Sequence, residues 1–357
     1  MHRHAVICAL VCWVPLAVLS LVQGHFLGGT DLPFLRDIET HVRFLVALPA
    51  LILAELNVRQ RIQPMLNRFI ERHLILPEEL PKFYTAVSAA VRLHNSGVVE
   101  IVILVLVFTF GPWLWRHELP LGVVSWYASS QGGQIHLTIS GYWLAFVSVP
   151  VFQFILVRWY LHILIWIWFL LRISWLNLNL RALHPDRAAG LEFVGKFSVV
   201  FQPLLFAQNA LLSAQIAGRI LYHGESLFAS EMAIFGYVSL SVAVALAPLL
   251  PFAPQLMRAK RDGLARYGNF ATEFVTDFDQ KWLQGKVNDE RILSNDDIQS
   301  LSDLDNSFTM VSKMRLGPFS NDDVVLLLIA AIGPFLPLLL TIIPLNQLIV
   351  WVIRIVA

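Results

Sequence analysis

The sequence predicts an all-α fold, a polytopic transmembrane helical bundle of about seven crossings with cytoplasmic amphipathic helices. Three observations predict it. The run from Gly141 to Trp175 is almost unbroken in apolar residues, its only basic residues being Arg158, His162 and Arg172. The whole chain is 57% hydrophobic and 14% charged, with a mean hydropathy of +0.64, too little polar surface to clothe 357 residues in water. Lys and Arg gather in alternate connections, as the cytoplasmic loops of a multi-pass protein require.

A helix needs roughly 20 apolar residues to cross the hydrocarbon. Such stretches fall near residues 5–22, 42–57, 98–115, 141–176, 196–221, 233–253 and 324–343. The first begins Met1-His2-Arg3-His4 and has no small-x-small cleavage site before Gln23 and Gly24, so it is expected as a retained helix. Its Cys8 and Cys12, the only cysteines, act there as small hydrophobes. The second leads into Arg59, Arg61, Arg68, Arg72, Lys82 and Arg92, which places the N-terminus and this segment inside. Within that segment Ile62, Leu66, Phe69 and His73 recur at helical spacing, Pro77 and Pro81 break the pattern, and Phe83, Val87, Ala90 and His94 resume it. A helical hairpin over 58–97 is the expectation.

After the third crossing, Gln134-Ile135-His136-Leu137-Thr138-Ile139 alternates beside glycines and serines and predicts a short outside hairpin. The fourth stretch has no tight-turn residue between Val151 and Ile173 and is read as one continuous helix that tilts, bends near Pro150, or starts with an interfacial piece at Tyr142 and Trp143. Reading it as two crossings puts the basic loop after Gln255 outside. That loop spans 258–320, where Tyr267, Phe270, Phe274, Phe278 and Trp282 and then Ile298, Leu301, Leu304, Phe308, Val311 and Met314 form two amphipathic stripes. Ser294 with Asp297, and Ser320 with Asp323, have capping-box spacing. The domain division is 1–257 for the first six crossings, 258–320 for the cytoplasmic segment, and 321–357 for the last crossing and a short tail.

Asp297-Ile298-Gln299-Ser300-Leu301, with Asp303-Leu304, Ser307-Phe308 and Met314-Arg315, together with Phe34-Leu35-Arg36-Asp37-Ile38, Arg158-Trp159 and His184-Pro185-Asp186-Arg187, resembles an uncharacterised family of bacterial multi-pass inner-membrane proteins. The resemblance implies an inner-membrane location and brings no activity. Such relatives read Gly-Gly-Leu where this chain has Ala189-Gly190-Leu191.

On a helix Arg158, His162, Ile165, Phe169 and Arg172 share one face. A charge at the bilayer centre costs about 2.5 to 3.5 kcal/mol on insertion scales, so such groups face protein or a wet cavity. Glu55 and Glu100 are the candidate partners. If the span starts near Val151, Arg158 and His162 lie well inside the bilayer; the functional reading is an anion or proton pathway, and the plainer one a structural ion pair with Arg172 reaching for headgroups. The fifth crossing carries Gln202, Asn209 and Ser213 on one face and Gln208, Gln215 and Arg219 on another, which calls for two polar partners. His184 and Asp186 form the cytoplasmic candidate motif, with Pro185 or Asp186 expected in the first turn of the next helix.

No Walker loop, dinucleotide fingerprint, nucleophile elbow or paired metal-spaced histidines occur in the sequence, so neither cofactor nor metal is called for, and a net charge of +1 gives no nucleic-acid surface. The functional expectation is movement of a small ion or solute past Arg158, His162 and the polar fifth crossing. The alternative is a non-catalytic scaffold or sensor whose 258–314 helices dock a cytoplasmic protein. Besides the lipid bilayer, a homo-oligomer is compatible with either.

Overall fold

A computed structural model describes residues 2–118, 125–131, 134–284 and 296–341. The structure is 82% helical with almost no strand. The helices are α1 (His2–Val22), α2 (Ile38–Glu71), α3 (Pro77–His94), α4 (Gly97–Glu118), α5 (Ile139–Ser174), α6 (Glu192–Tyr222), α7 (Leu227–Leu283), α8 (Asp296–Ser312) and α9 (Asn321–Thr341). Strands β1 (Ala128–Gln131) and β2 (Gln134–Leu137) form an antiparallel hairpin in which Ala128 faces Leu137. Among the described residues α1, α2, α5, α6, α7 and α9 are each long and apolar enough to cross a membrane. The crossing expected at 98–115 is α4, which reaches that standard only together with α3, across a 44° bend. That makes six such helices among the described residues, or up to seven when the bent pair counts as one, as befits a membrane protein.

Prolines set the irregular turns. Each removes an N–H and crowds the carbonyl four residues back, so the turn ahead of it must widen or tighten. In α2 a π-helical stretch over Val42–Ala47 precedes Pro49, and in α5 one over Leu144–Ser148 precedes Pro150. In α6 a 3-10 turn at Val199–Phe201 precedes Pro203, and in α7 the 3-10 segment Ala247–Phe252 holds Pro248 and Pro251. In α9 the stretch Gly333–Thr341 is 3-10 around Pro334 and Pro337, whereas Pro15 sits inside regular α1. The Gly141–Trp175 run is thus one helix, as its lack of turn residues predicts, with its irregular turn beside Pro150.

Most spans show the bundle exterior a broad apolar surface, with only 28–29% of the apolar window buried in α1, α2, α5, α7 and α9. In α6 the figure is 61%, so α6 is the central helix. The core around it is aromatic and aliphatic, including Trp159, Trp166, Phe169, Leu170, Phe197 and Phe252. α1 is fastened to α5 where the Ser148 hydroxyl donates to the Cys12 carbonyl at 2.8 Å.

One end of the bundle carries the hairpin. There Asp37 caps α2 by accepting from Thr40 N at 3.1 Å, and the fully buried Trp126 indole donates to the same carboxylate at 2.9 Å. Thr138 caps α5 by accepting from Gly141 N at 3.1 Å. Gly141 is there because a Cβ would lie 2.0 Å from the Tyr127 carbonyl oxygen.

The other end holds most of the basic residues. α2 continues past residue 58 to Glu71 and the chain turns at Pro77 into α3, so the expected hairpin is the end of a long apolar helix packed with α3 through Phe69 and Phe83. α7 continues for 57 residues, about 85 Å at 1.5 Å per residue, and pairs with α8. Gly263 allows that contact, since a Cβ would come within 2.6 Å of the Ala182 Cβ and 2.9 Å of Val311. Asp297 joins the two helices by accepting from Lys281 Nζ at 2.6 Å and Trp282 Nε1 at 3.2 Å. The Ser320–Asp323 capping box forms and starts α9. The box expected at Ser294 and the tail beyond Thr341 lie outside the described residues.

Candidate functional site

Arg158 sits on the α2 side of α5, where its Nη2 donates to Glu55 Oε1 at 3.1 Å. Next to it the Trp159 indole donates to the Leu51 carbonyl at 3.0 Å, so two adjacent residues lock α5 to α2. Glu55 is the partner of Arg158; Glu100 is exposed in the first turn of α4. His162 packs its ring 4.6 Å from that of His94, the last residue of α3, and 5.7 Å from Trp159. Arg172 lies over the rings of Trp168 at 5.5 Å and Trp175 at 5.8 Å.

The two polar faces of α6 have different fates. Gln202 donates to the Leu326 carbonyl at 2.7 Å, Asn209 to the Leu205 carbonyl at 2.8 Å and to Ser241 at 3.4 Å, and Ser213 to the Pro334 carbonyl at 2.8 Å. That face fastens α6 to α7 through Ser241 and to α9 through the Leu326 and Pro334 carbonyls. Gln208 and Gln215 instead line a cavity of about 800 Å³ shared by α2, α4, α5, α6 and α7. Its other polar lining is Glu39, Arg43, Gln153, Tyr160 and Tyr237, with Glu39 and Arg43 forming an ion pair. Gln153 Oε1 is buried and accepts no hydrogen bond.

At one side of this cavity Gln208 Nε2 donates to the Tyr160 hydroxyl and the Tyr237 hydroxyl donates to Gln208 Oε1 at 3.0 Å. A second cavity of about 210 Å³, lined by Ser241 and Leu204, shares the same three residues. The trio therefore stands between two cavities. Arg158, Glu55 and Asn209 line neither, and the fifth-crossing polar face does not meet the Arg158 face. His162 lines a separate space among α2, α3, α5 and α6.

The His184-Pro185-Asp186 motif forms a tight loop and not the first turn of a helix, since the α6 segment begins at Glu192. Arg187 and Ala189 adopt left-handed φ of 55° and 53°, and Gly190 has φ 99°. That curl turns three amides inward, so Asp186 accepts from Ala188 N at 2.9 Å, Gly190 N at 3.0 Å and Glu192 N at 3.2 Å. Arg72 from α2 reaches the same carboxylate at 3.4 Å and the Gly190 carbonyl at 2.9 Å. Burial alone raises the Asp186 carboxyl, but the three amides and His184 outweigh it and hold the group below the usual carboxylate range. His184 Nδ1 lies 2.9 Å from the carboxylate and 3.3 Å from Asp186 N; it donates to the first when it carries the proton and accepts from the second when it does not.

No protein-family model, curated protein or solved structure matches this chain. Among the described residues no group of three or more His, Cys, Asp or Glu is placed to hold a metal ion. Of the residues picked from sequence, the structure joins Arg158 to Glu55 and joins Asp186 to His184, and it separates both pairs from the polar cavity. Gln153, Tyr160 and Tyr237 were missed. A lone glutamine and two tyrosines in apolar helices carry no spacing signal, and only the packing of α5, α6 and α7 brings them together.

Proposed function

We propose that this protein lies in the bacterial inner membrane with its N-terminus in the cytoplasm and moves a small polar solute through the cavity between α2, α5, α6 and α7. The carrying observation is the buried, hydrogen-bond-free Gln153 oxygen beside the Tyr160–Gln208–Tyr237 trio in an 800 Å³ space. Polar groups in a bilayer normally close on one another, and those that do not line a water-filled route or a ligand site. The lining is amides and phenols with a self-compensated ion pair at Glu39–Arg43, chemistry that holds a neutral hydrogen-bonding solute better than a bare ion. The trio is the barrier between the large and small cavities, and breaking its two hydrogen bonds joins them.

The ion pair at Arg158 belongs to the inner boundary in this reading. From Ile139 to Arg158 is 19 residues, about 29 Å of helix, which is the hydrocarbon thickness. The contact of His162 with His94, three residues before α4 begins, supports the same level. Arg158 and Glu55 then fasten α5 to α2 where headgroups and water soften the cost of charge, rather than at the bilayer centre. The amphipathic helices α3 and α8 and the end of α7 form the cytoplasmic layer.

Stopped-flow light scattering on vesicles containing the purified protein tests the reading, with glycerol and urea as neutral probes and an internal pH dye for protons. Faster glycerol or urea entry than in empty vesicles, raised further in Gln208→Leu, which breaks both hydrogen bonds of the barrier, supports it. Entry at the empty-vesicle rate for both probes refutes it. A second reading, a scaffold docking a cytoplasmic protein, is favoured by exposed Phe270, Val275, Leu283 and Ile298 on α7 and α8; capture of a defined partner that Phe270→Glu abolishes, without any flux, selects it.

A further inference from the structure

A third cavity, of about 390 Å³, lies among α2, α3, α5 and α6, apart from the proposed route. Its volume falls in the range of small-molecule sites. The floor is largely aromatic and closed to solvent: Met65, Trp166, Phe169, Phe197 and Phe201 are each at most 5% exposed. The mouth is formed by Ile62, Gln63, Val91 and Asn95, all exposed. A ligand thus enters past side chains that α2 and α3 leave open and comes to rest on rings. The Trp166 ring lies 4.5 Å from that of Phe197 and 5.8 Å from that of Phe169, the latter only 25° from parallel.

One polar group interrupts this floor. The indole N–H of Trp166 is buried and has no hydrogen-bond acceptor. Buried donors are satisfied in the great majority of cases, and an exception beside a cavity marks where the acceptor of a ligand fits. His94 and His162 also line the cavity but are engaged in contacts of their own, ring to ring at 4.6 Å. The Gln63 and Asn95 amides offer both donors and acceptors at the exposed mouth, where water competes for them, so the choice of ligand falls to the floor. Nothing charged suits it. No Asp, Glu, Lys or Arg is among the described residues that line the space, and an ion pressed onto aromatic rings loses its hydration without a fixed counter-charge.

We propose that this cavity binds a neutral, flat, lipid-soluble carbonyl compound of the quinone class, its ring lying on the Trp166–Phe197 surface and one carbonyl oxygen accepting the Trp166 N–H. Ring on ring is a favourable contact in this setting. An acyl chain fills the apolar space and leaves the indole unsatisfied. A carboxylate satisfies the indole and gives up its hydration to the rings.

Duroquinone and durene separate these occupants, because they share one methylated ring and only the first has carbonyls. The full-length protein in nanodiscs is dialysed to equilibrium against radiolabelled duroquinone, with empty nanodiscs as the measure of partitioning. The expected result is saturable binding near one molecule per chain, displaced by durene or palmitate at least tenfold less well than by unlabelled duroquinone. Trp166→Phe keeps an aromatic floor and removes the donor. It is expected to weaken duroquinone binding at least tenfold and to leave the weaker binding of radiolabelled durene unchanged, a split that a general loss of packing does not produce. Ala90→Phe, which narrows the cavity from α3, is the second variant if the first does not fold, and is expected to weaken both ligands at least tenfold. Duroquinone that only partitions as into empty nanodiscs, or that binds either folded variant as tightly as the parent protein, overturns the proposal. So does durene or palmitate competing as well as duroquinone, which makes the occupant a hydrocarbon or a fatty acid instead.

Discussion

Arg315 and Asp186, 129 residues apart in the chain, are bound to each other: the Arg315 guanidinium donates to the Asp186 carbonyl at 2.6 Å. The neighbouring backbone repeats the link, with Arg315 N donating to the Arg187 carbonyl at 2.7 Å. Arg315 also lies 3.6 Å from Glu192, the first residue of the α6 segment. Two separate sequence motifs, His184-Pro185-Asp186-Arg187 and Met314-Arg315, therefore form one junction that ties the α5–α6 loop, the end of α8 and, through Arg72, the end of α2.

Asp186→Ala is expected to destabilise the protein by about 3 kcal/mol, because it strands three inward-turned amides. Arg315→Ala is expected to cost about 2 kcal/mol through its charge-assisted bond to the carbonyl. Denaturant titration in detergent, followed by tryptophan emission, measures both. Stability equal to the parent protein in Asp186→Ala removes the junction from the account.

The same carboxylate sets a pH response. Its folded pKa is depressed below the ordinary 3.8, so its stabilising contribution is present above that pH and is lost as pH falls through the lower folded value. Unfolding midpoints between pH 6 and 3 are expected to fall more steeply at the acid end for the parent protein than for Asp186→Asn. Parallel curves count against this.

Close packing at a glycine gives a test independent of charge. A Cβ on Gly195 would lie 2.1 Å from the Pro318 carbonyl oxygen and 2.7 Å from the Phe319 Cα, both backbone. Gly195→Ala is expected to cost about 3 kcal/mol as α9's lead-in is forced away. Gly218→Ala, in the same helix with nothing within 4 Å, is expected to be neutral or to stabilise by up to about 1 kcal/mol. Equal effects from the two contradict the docking of the Pro318 segment on α6.

The Glu55–Arg158 pair is partly buried, with side-chain exposures of 21% and 25%. Removing either partner breaks the contact between α2 and α5, so Glu55→Gln and Arg158→Met are each expected to destabilise by about 1 kcal/mol after allowance for solvent screening. The double variant is expected to cost less than the two together. Glycerol entry per folded molecule is expected to be unchanged, since neither residue lines the cavity.

Much of the fold was legible because lipid imposes a coarse rule. The apolar runs gave the long apolar helices, the absence of turn residues between Val151 and Ile173 gave the unbroken α5, and the alternation at Gln134–Leu137 gave β2. The Ser320–Asp323 spacing gave a helix start. Contacts across the chain were not legible. Helical spacing put Arg158 and His162 on one face and could not say that Arg158 would turn to α2 while Tyr160, two residues on, would turn to α6. The same limit hid the second polar face of α6, because Gln208 and Asn209 are neighbours in sequence and only the positions of α5 and α7 decide that one lines a cavity and the other fastens helices. His184-Pro185-Asp186 looked like a helix start because proline and aspartate favour first turns; the positive φ at Arg187 and Ala189 curls the chain into a loop first.

Aqueous access to Gln153 tests the central claim most directly. In a background with Cys8→Ser and Cys12→Ala, a Gln153→Cys variant in sealed, oriented vesicles is treated with a membrane-impermeant maleimide, which reacts only where water brings it a thiolate. The account predicts labelling of Gln153→Cys from the hairpin side, with Ser241→Cys beyond the trio unlabelled from that side until Tyr237 is replaced by alanine. No labelling of Gln153→Cys from either side, as expected of a site sealed by lipid or packed protein, would contradict it.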